Sequence, residues 1–207
     1  MQIITVSPHG FGANAYILVG EGNQAIVIDP AQKNVENELL NHGLQAKYVL
    51  LTHCHFDHVG GAAVLQEMGA KVLCSVEEKP LVGTDAELFS LIGQMRPPYT
   101  VDDVFADGEE CVLCGIRIKA ILTPGHTAGS CCYQVTENDG TRYLFTGDTL
   151  FAGSIGRTDF PTGNLTQMRQ SLKKLCALDG NMPIYAGHNE PTTLETERKT
   201  NPFILDA

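Results

Sequence analysis

The sequence has no tryptophan, no long apolar run and few basic side chains. In 207 residues, 14 Lys and Arg stand against 24 Asp and Glu, a formal net charge of −10. This shortage of positive charge argues against a nucleic acid or an anionic membrane as partner, because both need a basic footprint. Any site for an anionic substrate therefore has to be local. No apolar stretch could span a bilayer, and no basic-then-apolar leader precedes the strand-like Ile3-Ile4-Thr5-Val6, so the expected location is the cytoplasm. There the seven cysteines are expected as thiols, and their odd number does not suit a disulfide framework. Cys111 and Cys114 form a lone CxxC, read as packing and turn positions. Cys131 and Cys132 are adjacent and should point to opposite faces of a strand. Internal repeats, low-complexity segments and linkers are missing too. With 43% hydrophobic residues the chain can build a sizeable core, and one domain over residues 1–207 is expected.

What is present is concentrated. Residues 51–61, LTHCHFDHVGG, carry His53, His55, Asp57 and His58. Imidazoles and a carboxylate at this density point to a metal, and they suit Zn²⁺, Fe²⁺ or Mn²⁺. The apolar residues 47–51 read as a buried strand and residues 59–68 as a helix. The cluster then sits at the carboxyl end of a strand, where α/β sheets place their sites. Three later strand ends each present one more candidate: His126 in Thr123-Pro124-Gly125-His126-Thr127, Asp148 after Gly147, and His188 after Gly187. Of the seven histidines, only His9 and His42 lie outside these motifs, and both read as ordinary loop residues.

Seven ligands suit two divalent ions, zinc first, with iron or manganese as alternatives. His53, His55 and His126 make a three-imidazole set, and Asp57, His58 and His188 make a second. Asp148 can bridge, having two oxygens to share. The position left open to water is the mark of a catalytic site. Two ions there would turn that water into hydroxide at neutral pH and polarise a carbonyl beside it. Asp29 ends another strand and is expected either to orient a ligand histidine or to serve as the turn residue before Pro30. Cys54, inside the motif, reads as a redox-sensitive neighbour rather than a ligand.

Strands are expected over residues 2–6, 14–20, 24–28, 47–51, 71–74, 110–113, 116–122, 131–136, 142–146 and 182–186. Helices are expected over 35–44, 59–68, 76–83, 85–92, 165–178 and 190–199. Leu39, Leu40 and Leu44 should face a core from the first of these. Leu165, Met168, Leu172, Leu175 and Cys176 should share one face of the helix over 165–178. Residues 9–12 read as a loop. Residues 94–100 read as a Pro-rich loop covering a cleft, with Tyr99 lining it. This order of elements implies two sheets face to face with helices outside.

HCHFDH, TPGHT, GDTLF and AGH, in that order, resemble the metallo-β-lactamase superfamily over nearly the whole chain. The resemblance implies an α/β fold, an αββα sandwich of two mixed β-sheets flanked by helices, with a dinuclear site at one edge. It also implies mostly hydrolytic chemistry. The commonest β-lactamases of the superfamily have Cys where this chain has Asp148 and are usually exported, and its tRNA-processing nucleases prefer a basic surface. Neither matches. Residues 147–160, GDTLFAGSIGRTDF, and Asn201-Pro202-Phe203 resemble glyoxalase II. That resemblance implies a small-molecule substrate, a 2-hydroxyacyl thioester such as S-lactoylglutathione, hydrolysed by a metal-bridging hydroxide that Asp57 orients. Arg157 matches a basic residue that contacts the glutathione part. It reads either as a carboxylate clamp or as a salt-bridge partner of Asp159. Typical glyoxalase II has a further C-terminal helical domain, so this chain resembles the short, single-domain type. Two rivals stay open. One is a mononuclear-iron persulfide dioxygenase using a two-His, one-Asp set around His53, His126 and Asp148. The other is a metal-binding module without turnover.

Overall fold

Apolar residues run almost unbroken through the central strands, so both faces of each sheet have to be covered. The computed structural model describes residues 1–8, 10 and 12–206. His9 and Phe11, in the expected loop over 9–12, lie outside the described residues. The first sheet holds β1 (Gln2–Val6), β2 (Ala15–Val19), β3 (Gln24–Ile28), β4 (Gln45–Leu50), β5 (Lys71–Ser75) and β6 (Asp103–Phe105), side by side in chain order. β1 to β3 pair antiparallel, and β3 to β6 run parallel. The second sheet holds β7 (Glu110–Leu113), β8 (Ile116–Leu122), β9 (Cys131–Thr136), β10 (Arg142–Gly147), β11 (Pro183–Ala186) and β12 (Thr192–Thr193), again in chain order. Only its β10–β11 pair is parallel.

Parallel neighbours need crossover connections, and these supply helices. α1 (Asn34–Asn41) joins β3 to β4, α2 (Phe56–Val59) and α3 (Ala62–Glu67) join β4 to β5, and α4 (Leu165–Cys176) joins β10 to β11. α5 (Leu194–Thr200) and α6 (Pro202–Leu205) close the chain. Strand alternation sorts the side chains into three apolar layers. In β3, Ala25 and Val27 pack with Val35 and Leu39 of α1, while Ile26 and Ile28 pack between the sheets with Ile118, Tyr133 and Phe145. Cys131 and Cys132 part as expected, one between the sheets and one with Met168 and Leu172 of α4. The result is the αββα sandwich that the resemblance implied.

Local expectations need more revision. Residues 59–68 are not one helix, because Gly60 and Gly61 separate α2 from α3. The chain after β3 presses on both glycines: a Cβ there would lie 2.4 Å from the Ala31 carbonyl oxygen and 2.7 Å from that of Gln32, respectively. Residues 76–92 form only short 3₁₀ turns, at Lys79–Leu81, Asp85–Glu87 and Ser90–Ile92. Gly83, Leu88 and Gly93, all at positive φ, interrupt them. Helix α5 begins only at Leu194, after the edge strand β12. Leu40 is 60% exposed and Leu165 45%, so neither joins the core face expected of it. Among the described residues, no helix is long and apolar enough to cross a membrane.

Candidate metal centre

Each expected site residue follows a strand. β4 leads through Thr52 to His53 and His55, and α2 then carries Asp57 and His58. β8 leads to His126, β10 to Asp148 and β11 to His188. The first sheet thus delivers four of the residues and the second sheet three. The structure brings all seven together in three overlapping groups: His53, His55 and His126; His53, His58 and Asp148; Asp57, His58 and His188. Within each group, one donor atom per residue lies within 4.8 Å of the others. Asp148 stands between the sets. Its Oδ1 is 3.3 Å from His58 Nε2, and its Oδ2 is 3.5 Å from His126 Nε2 and 3.6 Å from His188 Nε2. Its two oxygens therefore face different imidazoles, the disposition a bridging carboxylate needs. Space is tight: a Cβ on Gly187 would lie 2.3 Å from Asp148 Oδ1 and 2.7 Å from His58 Cε1.

Hydrogen bonding leaves a residue of unmet demand. His53 Nε2, His55 Nε2, His58 Nε2 and Asp148 Oδ1 are buried without a hydrogen-bond partner among the described residues. A buried polar atom left unpaired costs about 1–3 kcal/mol, and here four converge, of which His58 Nε2 and Asp148 Oδ1 have only their mutual 3.3 Å ion-pair contact. Cations would accept all of their lone pairs, so this donor set fits divalent metal. Burial, then the positive potential of neighbouring imidazoles, holds His53 well below the usual histidine range and His55 down to about 3, so both offer neutral nitrogens. His58 behaves oppositely. Burial opposes its charge, but Asp148, Asp29 and Asp57 raise it well above the ordinary value. Burial also opposes charge on Asp148, yet His58, His126 and His188 hold its carboxyl below the carboxylate range.

Hydrogen bonds behind the cluster set which nitrogen faces inward. His58 Nδ1 meets Asp29 Oδ2 at 2.9 Å, and Asp29 also accepts the Thr52 N–H at 2.7 Å and the Thr52 hydroxyl at 2.6 Å. Of the two expectations for Asp29, the orienting one agrees with this geometry. The Thr52 oxygen in turn sits 3.1 Å from His53 Nδ1. His126 Nδ1 donates to the Arg157 carbonyl at 2.7 Å. His188 Nε2 lies 3.2 Å from Asp57 Oδ2.

Sequence reasoning missed Glu78, which is fully buried on the turn after β5. Its Oε1 accepts the Cys54 N–H at 2.8 Å and its Oε2 the Thr127 hydroxyl at 2.7 Å. One carboxylate thereby ties together two turns that bear site residues. Its only sequence signal is an acid just past an apolar strand, which is far too common to single it out. Replacing Glu78 with alanine strands the Cys54 N–H, while the Thr127 hydroxyl keeps Ser130 Oγ at 2.8 Å, and is expected to lower Tm by about 5 °C. Glu78→Gln, which keeps one acceptor, should lose less than half of that in a thermal melt. The same geometry corrects the expectation for Cys54. Burial and the adjacent Glu78 push its thiol well up, so it is a packed, unreactive side chain.

The Asn-Pro-Phe tail also gains a physical role. The buried Asn201 amide donates to the carbonyls of Phe151 at 3.3 Å and Ser154 at 3.1 Å, and Glu197 accepts the Gly153 N–H at 2.8 Å. The tail thus pins the loop that follows Asp148. A cleft of about 1380 Å³ opens over the cluster, with His55, Asp57, His126, Asp148, His188, Arg157 and Phe160 in its walls. Arg157 makes two 2.7 Å bonds to Asp159, and its guanidinium lies 3.9 Å from the Phe160 ring centroid. The salt-bridge expectation is the one realised. Tyr99 does not line the cleft. Its ring is buried and its hydroxyl donates to Glu87 at 2.8 Å, while the neighbouring Pro97 and Pro98 line the wall instead.

Comparison with known proteins agrees with this architecture. A family described as the metallo-beta-lactamase superfamily matches residues 9–188. A Haemophilus influenzae protein named hydroxyacylglutathione hydrolase GloC is 31% identical over 99% of this chain and 98% of its own length. The crystal structure of BLEG-1 B3 metallo-beta-lactamase superposes with a TM-score of 0.87 at 28% identity, covering 98% of this chain and 99% of that one. TTHA1623, crystallised in a di-iron-bound form, superposes with a TM-score of 0.82 at 31% identity, covering 98% of this chain and all of that one.

Proposed function

The chain belongs to the metallo-β-lactamase superfamily, and from that premise we propose that this metallohydrolase cleaves thioesters of the 2-hydroxyacyl kind, such as S-lactoylglutathione, at a dinuclear centre. The observation that carries this reading is the set of four unpartnered buried donor atoms at a cleft whose walls also hold Asp57 and Arg157. Similarity to a protein named hydroxyacylglutathione hydrolase supports the substrate class.

His53, His55 and His126 would hold one divalent ion, Asp57, His58 and His188 the other, and Asp148 both. Bound there, the ions supply Lewis acidity toward a carbonyl oxygen and acidify water to near neutral pH. The chain's own residues do the remainder. Asp57 faces the cleft and orients the attacking water. In the reaction a C–O bond forms to the water oxygen and the C–S bond breaks. The products are a carboxylate, a thiol and one proton.

Arg157 is placed to receive a carboxylate of the thiol carrier by leaving Asp159. Their ion pair is exposed, and such pairs hold weakly. Arg157→Ala is expected to raise KM for a glutathione thioester about threefold to tenfold, with kcat changed less than KM. Steady-state kinetics of the two proteins checks this.

The test of the whole reading is metal content beside turnover on one sample purified without added metal. About two ions per chain with rapid thiol release is the expected result. About one iron per chain, with O₂ uptake on glutathione persulfide and no thioester turnover, would assign the single-iron dioxygenase. The two-imidazole, one-carboxylate group His53, His58 and Asp148 also suits that chemistry. Hydrolysis of a β-lactam alone would change the substrate class and keep the hydrolase. Bound metal with no turnover of any of these would leave a binding module.

A further inference from the structure

The cleft extends beyond the candidate centre along a wall that the hydrolytic reading does not use. Phe56 on α2, Val64 on α3, and Phe89, Ile92, Met95 and Pro97 from the segment after β5 form it. Met95 is 94% exposed and Ile92 37%, so two large apolar side chains of this wall meet water. The segment that presents them is anchored. Glu87, buried, accepts Arg96 Nε at 2.7 Å and the Tyr99 hydroxyl at 2.8 Å. Arg96 also donates to the Tyr99 carbonyl at 2.8 Å and lies 4.3 Å from the centre of that ring. Leu88 and Gly93, both left-handed, turn the chain on either side of Ile92 and the residues before it. A carboxylate taken out of water is costly unless well partnered. Here it fixes a scaffold whose apolar side chains stay uncovered and continuous with the reaction centre. That is the character of a preformed small-molecule subsite. Room is available as well, since about 1380 Å³ exceeds the roughly 300–1,000 Å³ of ordinary ligand clefts.

We propose that this wall is a subsite for an aliphatic chain on the acyl side of the thioester, so that among acyl thioesters turnover improves as the chain lengthens from acetyl to octanoyl. The inference rests on the thioesterase reading above. There Arg157, from the loop after β10, takes the carrier, and the wall from α2, α3 and the anchored segment falls to the acyl group.

The test uses metal-loaded protein and glutathione thioesters of acetate, butyrate, hexanoate and octanoate. Through octanoyl, kcat/KM should rise about threefold per methylene. In the Ile92→Asp, Met95→Asp double variant the slope should fall below half of that value. Both changes lie on exposed side chains, and a thermal melt checks that the variant is folded. Calorimetric binding of butyrate, hexanoate and octanoate, the product acids, reads the same slope without turnover. Thioester turnover with no chain-length slope in either assay overturns the subsite and leaves the thioesterase. No turnover, with a binding slope that the double variant abolishes, overturns the thioesterase and leaves the subsite. A wild type that sediments as a dimer, a variant that sediments as a monomer, and equal slopes in both would show a copy interface and overturn the proposal.

Discussion

Asp148→Ala is expected to reduce kcat/KM by about a thousandfold or more, because several kcal/mol of transition-state stabilisation depend on the metal centre it completes. The geometry explains why one residue should matter so much. One oxygen of Asp148 faces His58, and the other faces His126 and His188. Losing the carboxylate should therefore lower occupancy at both positions, which elemental analysis after dialysis would show. The fold should survive. In the presence of chelator, Asp148→Ala should still melt cooperatively, about 10 °C below the wild type for the loss of the buried partner of His58. Near-normal turnover by the variant at full metal depletion would sink the mechanism.

The second large effect is on stability. Asp29 is buried and accepts from the Thr52 N–H, the Thr52 hydroxyl and His58 Nδ1. Alanine there strands all three groups and leaves His58 beside Asp148 without its rear partner. Breaking a buried pair of this kind costs about 3–5 kcal/mol, so Tm should fall by about 10 °C or more. The backbone adds to the penalty, because Asp29 has a φ of 49°, which alanine tolerates poorly. Asparagine accepts that conformation, so Asp29→Asn isolates the chemistry from the strain. Its amide cannot serve every donor that the carboxylate serves. Metal affinity is then expected to fall about 10–100-fold, as when a group that orients a ligand is lost. A melt in chelator and a competitive metal titration separate the two effects. An Asp29→Asn protein with unchanged affinity would reduce Asp29 to a turn residue.

What could be read from the sequence divides along physical lines. Metal ligation allows few residue types, so the four residues after β4 and the single residues after β8, β10 and β11 were visible as a pattern before any fold was known. Long central strands were visible for the same kind of reason, since burial of both faces leaves an apolar run. The edges were not. β6 is three residues with one buried, and β12 is two residues, so neither carries a period to detect. Residues 76–92 have helical composition, but the left-handed Leu88 in their midst has no local sequence cause. Tyr99 was misplaced because its position depends on Glu87, twelve residues earlier, through a bond that no pattern announces. Glu78 and Asp29 belong to the same class. Each is a carboxylate with partners distant in sequence: Asp29, legible only as one of two alternatives, is decided by Thr52 and His58 within the first sheet's connections, and Glu78 acquires its meaning only once the sheets are stacked and Thr127 arrives from the second.

That stacking has a consequence for biosynthesis. The residues of the cluster run from His53 to His188 in a chain of 207 residues. A nascent chain that has released only its first sheet displays His53, His55, Asp57 and His58 on an unsupported turn, with Asp148 and His188 still to be made. Domains assemble as units during synthesis, and here the full donor set cannot exist until β11 has paired with β10 and the sheets have docked. The seven residues can therefore meet only late in synthesis, after β11 is available. Truncation before β11 would remove His188 and leave the group it forms with Asp57 and His58 incomplete.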